Sequence, residues 1–282
     1  MTHGIVIFAQ NNSSIDYVKL ATFAAKRAQH FLDLPVSLIT DARGWVETSQ
    51  PAHTFDQIID VEFSNTVQKK TFFDGSLYSK NLEWKNFARN RAYDLSPYDK
   101  TLVIDSDYII NSDILKIAFK REAELQIYSS SMDLAGWRST DEFTRINPYS
   151  IPFYWATAFV FEKNIATETF FNLISYIKIN WNYFRILYNI DTSLYRNDYA
   201  FSIAIHLMNN KSAGDFAMEL PGSMIFTKDK DILVSIENNS MKFLVEKQNY
   251  SGEYLLAKTQ GVDVHVMNKL SLSRFIDGGS GV

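Results

Sequence analysis

Thr101-Leu102-Val103-Ile104-Asp105-Ser106-Asp107-Tyr108-Ile109-Ile110 reads as an apolar, β-branched strand that ends in two carboxylates one residue apart. A strand buried on both faces is a near-continuous apolar run, and open α/β sheets bind ligands outside the carboxyl ends of such strands. The stretch therefore predicts a central strand with Asp105 and Asp107 at its exposed end. Two hard oxygen ligands there suit a divalent cation when diphosphate oxygens and water complete the shell. A chain with 20 Asp produces such triplets by chance, and a second one stands in Thr227-Lys228-Asp229-Lys230-Asp231. That one reads as a solvated charged turn; the strand context sets the first apart.

Upstream of the triplet, Gly4 to Ala9 predicts a first buried strand. Asp16 to Leu32 predicts a helix, with Val18, Ala21, Ala24, Ala25, Ala28 and Phe31 at helical spacing. Pro35 precedes a second strand, Val36 to Thr40, that ends at Asp41, and Gln57 to Phe63 offers a third. Leu82 to Tyr93 predicts a helix carrying Lys85, Arg89 and Arg91, closed by Ser96-Pro97. Three or four such alternations within the first 115 residues argue for a mostly parallel sheet wound with helices. Downstream, strands are expected at Leu125 to Ser129, Trp155 to Glu162, Ser223 to Phe226, Ile232 to Val234 and Val262 to Val266. Helices are expected at Thr167 to Asn180 and Asp198 to Met208. The expected fold class is α/β, a mostly parallel central sheet flanked by helices with a mixed C-terminal half. One domain over residues 1–277 is favoured, divided into 1–115 and 116–277, with 278–282 as a flexible tail.

Composition narrows the function classes. The 28 basic and 32 acidic side chains give a net charge of −4, so no global field recruits nucleic acid. The absence of Cys excludes disulfides, thiolate metal sites and a cysteine nucleophile. The N-terminus carries no basic leader region and no apolar stretch reaches about 18 residues, so a cytoplasmic, non-spanning protein is expected. Of the five His, His265 is the candidate third metal ligand, because it stands in the strand-like Gly261 to Val266 and precedes Asn268 and Lys269. An imidazole biases the set towards manganese over magnesium. The aromatic-rich segment Tyr176 to Phe201, with Arg185 and Arg196, reads as core or interface by default, and as an acceptor platform in the sharper reading.

Val103-Ile104-Asp105-Ser106-Asp107, preceded by an expected basic helix and answered by His265 and Lys269, resembles nucleotide-sugar-dependent glycosyltransferases of the GT-A fold. The likeness is to the retaining, glycogenin-like and galactosyltransferase-like branch, over about residues 4 to 270. The resemblance implies a GT-A-like domain with a nucleotide-binding half and an acceptor and sugar half. It implies Mn2+ or Mg2+ held by Asp105, Asp107 and His265 together with the diphosphate of a nucleoside-diphosphate sugar. Arg89, sixteen positions before Asp105, matches the basic residue over the donor, and Phe8, Ala9 and Gln10 match the loop that holds the base, with Asp41 beside it. Asp133 matches an acidic position that contacts the transferred sugar, and Asn197-Asp198 stands where an acidic-amide pair flanks the reacting carbon. Two stretches depart from the pattern. Trp155-Ala156-Thr157 replaces Asn-Ala-Gly, and after His265 the chain has Asn268 and Ser271 where the family has Gly and Lys, leaving Lys269 as the nearby lysine.

The function implied is metal-dependent, retaining transfer of a hexosyl or pentosyl group to an acceptor hydroxyl. A nucleotidyltransferase acting on a sugar phosphate is the competing enzyme, but its Gly-rich basic N-terminal loop is replaced here by Phe8-Ala9-Gln10-Asn11-Asn12-Ser13-Ser14. A non-catalytic binding protein on the same fold is the third alternative. The opening Gly4 to Asn12 also resembles glycosyltransferase-like proteins of tailed bacteriophages. That likeness implies a host-cell cytoplasmic setting and leaves glycan, small-molecule and modified-DNA-base acceptors open.

Overall fold

The computed structural model describes residues 1–49, 53–62, 68–85, 88–136, 138 and 143–279. The first half runs β1 (His3–Ala9), α1 (Tyr17–Leu32), β2 (Val36–Thr40), α2 (Arg43–Ser49), β3 (Gln57–Asp60), β4 (Gln68–Asp74) and β5 (Tyr78–Trp84). A 3-10 turn at Arg89–Arg91 leads to α3 (Ala92–Leu95), β6 (Lys100–Asp105), β7 (Tyr108–Ile109) and α4 (Lys116–Lys120). There follow β8 (Leu125–Tyr128), β9 (Ser131–Asp133), β10 (Trp155–Glu162), α5 (Ile165–Ile179), α6 (Trp181–Leu187) and α7 (Asn197–Met208). The chain ends with β11 (Ala217–Met218), β12 (Met224–Phe226), β13 (Ile232–Glu237), β14 (Ser240–Lys247), β15 (Tyr250–Gln260), β16 (Val264–His265) and α8 (Lys269–Asp277).

A seven-stranded sheet ordered β11-β8-β10-β6-β1-β2-β3 forms the centre. Its strands are parallel except at β10, which runs antiparallel to both β6 and β8. This is the mixed α/β class that the strand-helix alternation predicts. Ile5, Val6, Ile7, Leu102, Val103 and Ile104 are fully buried, as continuous apolar runs in a two-sided sheet must be. Gly4 is required by packing, since a Cβ there would lie 2.3 Å from the ring of Tyr98. Helix α1 starts where the Asp16 side chain accepts the Lys19 N–H at 3.0 Å, and stops at Asp33 in a left-handed conformation, φ 55°. A capping box of Asn164 and Thr167 starts α5.

The register carries the site. Phe8 pairs with Asp105 and Ala9 with Thr40, so the ends of β1, β2 and β6 share one edge. Antiparallel β10 begins at that same edge, which brings Trp155, Ala156 and Thr157 beside it. A smaller sheet, β7-β16-β12-β9, continues from it, and its pairing of His265 with Tyr108 sets the distal histidine next to the triplet. No helix among the described residues is long and apolar enough to cross a membrane.

Several expectations are corrected. The segment expected as a helix from Leu82 to Tyr93 begins as the end of the antiparallel hairpin β4-β5, and Arg89 sits on the 3-10 turn, while residues 86–87 lie outside the described residues. The hairpin prevails because it seats Phe72 and Leu82 in a second apolar cluster with Phe243 and Val245. The third strand ends at Asp60, and Phe63 lies outside the described residues, as do 280–282 of the expected tail. The strand expected from Ile232 to Val234 extends to Glu237 and opens an antiparallel sheet, β13-β14-β15. The strand at His265 is only two residues long, and Lys269 begins a helix. Asp231 is not on a solvated turn: it is 1% exposed and binds Arg138.

Candidate metal centre

Asp105, Asp107 and His265 converge, each with a ligand atom within 4.8 Å of the others. Asp105 ends β6, where its side chain remains partly exposed, and Asp107 follows in a buried turn. Backbone pairing fixes His265 against them: Val266 N–H donates to the Asp107 carbonyl at 2.9 Å, and the His265 Nε2 lies 3.3 Å from Asp107 Oδ2. The His265 Nδ1 is buried without a hydrogen-bond partner, and the ring packs edge-on to Trp155. Two carboxylates and an imidazole facing one point form a donor set that fits manganese or magnesium.

Lys269 reaches the same point from the first turn of α8, its Nζ 2.5 Å from Asp107 Oδ2. It can do so because Asn268 caps that helix, its side chain accepting the Ser271 N–H at 2.9 Å. Asn268 and Ser271 thus start the helix whose first turn carries this lysine. Burial alone would raise the Asp107 carboxyl, but the Lys269 and His265 charges outweigh it and hold it well below the ordinary range. Burial likewise favours a neutral Lys269, and Asp107 overrides it, leaving the ammonium held more firmly than usual.

Arg89 is 6% exposed, pairs with Asp105, and donates to the Ala156 carbonyl. Burial pushes its guanidinium down to about 10, with Asp198 and Asp107 working against that shift. The Ala156 N–H donates to Asp198 Oδ1 at 3.0 Å, and Arg196 holds Asp198 Oδ2 at 2.8 Å. Asp198 lies in the first turn of α7 rather than capping it, so its carboxylate belongs to the cleft.

One cleft is lined by Phe8, Gln10, Arg89, Asp105, Asp107, Asp198, His265 and Lys269. Ala9 and Asp41 are not among its lining residues; Gln10 Nε2 donates to Asp41 Oδ2 at 3.2 Å. Asp133 does not join the cleft. It is 2% exposed, and both of its oxygens bind Arg138, at 2.7 and 2.5 Å, which also grips Asp231. The cleft includes residues the sequence pattern did not single out, Tyr17, Lys70 and Trp84, and also Asp229 of the second Asp-x-Asp triplet, expected as a solvated turn. Lys70 and Trp84 belong to the β4-β5 hairpin, whose signal was Asp74-Gly75, a turn dipeptide between two runs that hold Phe72 and Leu82. A second groove opens off the cleft and shares Arg196, Asp229 and Met267 with it. Phe73, Phe143, Lys228, Lys230 and Lys247 line its other walls. In the segment Tyr176 to Phe201, Trp181, Phe184, Tyr195 and Phe201 are buried in the core, whereas Tyr176 and Tyr183 are exposed.

Among solved structures the chain is similar to the glycosyltransferase GlyE of Streptococcus pneumoniae TIGR4, at 16% identity and a TM-score of 0.45, over 78% of this chain and 45% of that one. It is also similar to the galactosyltransferase LgtC, solved in complex with donor and acceptor sugar analogs, at 16% identity and a TM-score of 0.44, over 77% of this chain and 72% of that one. The chain therefore spans less than half the length of GlyE. No protein-family model matches the sequence, and no curated protein matches it.

Proposed function

We propose that this chain is a metal-assisted glycosyltransferase that moves a sugar from a nucleoside-diphosphate donor to an acceptor hydroxyl. The observation that carries the proposal is the convergence of Asp105, Asp107 and His265 with Arg89, Lys269 and Asp198 in one cleft at the carboxyl edge of a parallel sheet. Breaking the bond from sugar to diphosphate places negative charge on the leaving oxygens and positive character on the anomeric carbon. Arg89 and Lys269 stand where they stabilise the first, and Asp198 the second. A divalent cation on Asp105, Asp107 and His265, manganese or magnesium, supplies Lewis-acid chemistry to the leaving group. Asp198 is held by Ala156 N–H and Arg196, so it orients the sugar without reorganising. The role is assigned to Asp198 rather than Asp133, which is 2% exposed, bound to Arg138 and not part of the cleft lining.

In this scheme Phe8, Ala9 and Gln10, with Asp41 fixing the Gln10 amide, border the nucleotide base. The acceptor enters through the groove that adjoins the cleft at Arg196, Asp229 and Met267. Retention of configuration is carried over from the family resemblance. The proposal is tested by screening nucleotide sugars for Mn2+-dependent release of nucleoside diphosphate, with wild type beside an Asp105→Asn, Asp107→Asn protein. The variant is expected to lose at least about 10²-fold in rate. Full Mn2+-dependent turnover by the folded variant would falsify the scheme.

A further inference from the structure

Each carboxylate lining the cleft already has a cation of its own among the described residues. Asp105 has Arg89, Asp107 has Lys269 at 2.5 Å, Asp198 has Arg196 at 2.8 Å, and Asp229 has Lys70 at 3.8 Å. The metal-ligand cluster is therefore electrically balanced by protein side chains, with Asp107 and His265 buried and Asp105 partly exposed at its mouth. A divalent cation entering alone would leave two uncompensated positive charges in a site where unpaired charge is costly. A diphosphate diester carries two negative charges, so cation and diphosphate together restore the balance.

The geometry points to a partner exchange, which rests on the glycosyltransferase reading: we infer that Arg89 and Lys269 are exchangeable counter-cations that guard Asp105 and Asp107. An arriving diphosphate draws both basic groups onto its oxygens, and the carboxylates thus released bind the metal. Lys269 is built for the exchange. Its ammonium sits on a flexible stem at the start of α8 and touches the same Asp107 oxygen that faces His265 Nε2. Metal and diphosphate are then coupled ligands, each binding more tightly in the presence of the other.

The experiment uses Mn2+ and inorganic pyrophosphate as probes, with no nucleotide sugar. Mn2+ binding is read from the electron paramagnetic resonance of the free ion for wild type, Lys269→Met, Lys269→Gln and Lys269→Arg, each first shown to be folded by its cooperative urea transition. Removing the guarding charge is expected to tighten binding of Mn2+ alone at least tenfold in Lys269→Met and Lys269→Gln, and to leave Lys269→Arg near wild type. In thermal unfolding, Mn2+ and pyrophosphate together should raise the wild-type midpoint by more than the sum of their separate effects, and this excess should shrink in Lys269→Met. Neutral variants that bind Mn2+ no more tightly than wild type, or an additive wild-type response, overturn the exchange. Because sugar transfer enters neither arm, this result is distinguishable from failure of the transferase reading, which the nucleoside diphosphate release assay decides.

Discussion

A single buried carboxyl makes stability depend on pH. Asp263 Oδ1 accepts from the Asn111 N–H at 2.8 Å, the Ser112 N–H at 2.9 Å and the Ser112 hydroxyl at 3.0 Å, while Oδ2 has no partner. Burial pushes this group from 3.8 up to about 6, with the hydrogen bonds and Arg27 offsetting part of the shift. The folded chain thus holds a proton that the unfolded chain releases, and the corresponding stability is fully present below about pH 4 and lost as pH rises through about 6. The shift corresponds to about 3 kcal/mol. Asp263→Asn should erase it: urea unfolding from about pH 4 to about pH 7.5 is expected to show the variant gaining roughly 2.5 kcal/mol relative to wild type. A difference that stays flat across this range excludes the account. Asp107 has the opposite sign, since its lowered folded value gives stability that is lost in acid.

Between elements, Arg138 is a clamp. Its guanidinium joins Asp133 at the end of β9 to Asp231 before β13, and the side chains of all three are nearly inaccessible to solvent. Removing one member of a buried ionic cluster costs about 3–5 kcal/mol, because it strands the remaining charges. Arg138→Met should lose that much in urea unfolding, and adding Asp133→Asn and Asp231→Asn should restore part of it. If the triple variant is no more stable than Arg138→Met, stranded charge is not the cause. Elements also differ in how legible they were. Strands β2 and β10 begin and end where their apolar runs do, because a strand buried on both faces writes itself as such a run. Hairpin β4-β5 has mostly exposed or half-buried side chains and polar residues such as Lys69, Lys80 and Asn81, so its apolar signal is faint and neighbouring cations look like a helix face. Strand β15 leaves a faint signal for a related reason, since it has no buried side chain, whereas β14 does alternate, burying Met241, Phe243 and Val245, a period-two pattern that the sequence reading did not use.

At the scale of the whole molecule, the transferase reading predicts linkage between ligand and folding. A ligand that binds only the folded chain at about 100 times its dissociation constant adds about 2.7 kcal/mol, or roughly 5 °C in melting midpoint for a chain of this size. Nucleoside diphosphates with Mn2+ are expected to produce such a rise for one base over the others, read by thermal unfolding. No rise with any base would count against a nucleotide donor. The sequence by itself determined the strand that ends in Asp105 and Asp107, the helical face of α1 and the alternation that makes a mostly parallel sheet, because periodicity records burial locally. It also marked His265 and Lys269 as partners through resemblance. Only the tertiary structure decided that Lys269 bonds Asp107 across 162 positions, that Asp133 serves a clamp, and that Asp229, Lys70 and Trp84 face the cleft. Local pattern shows which residues leave water; strand pairing such as the two-residue match of β7 with β16 selects which of them meet.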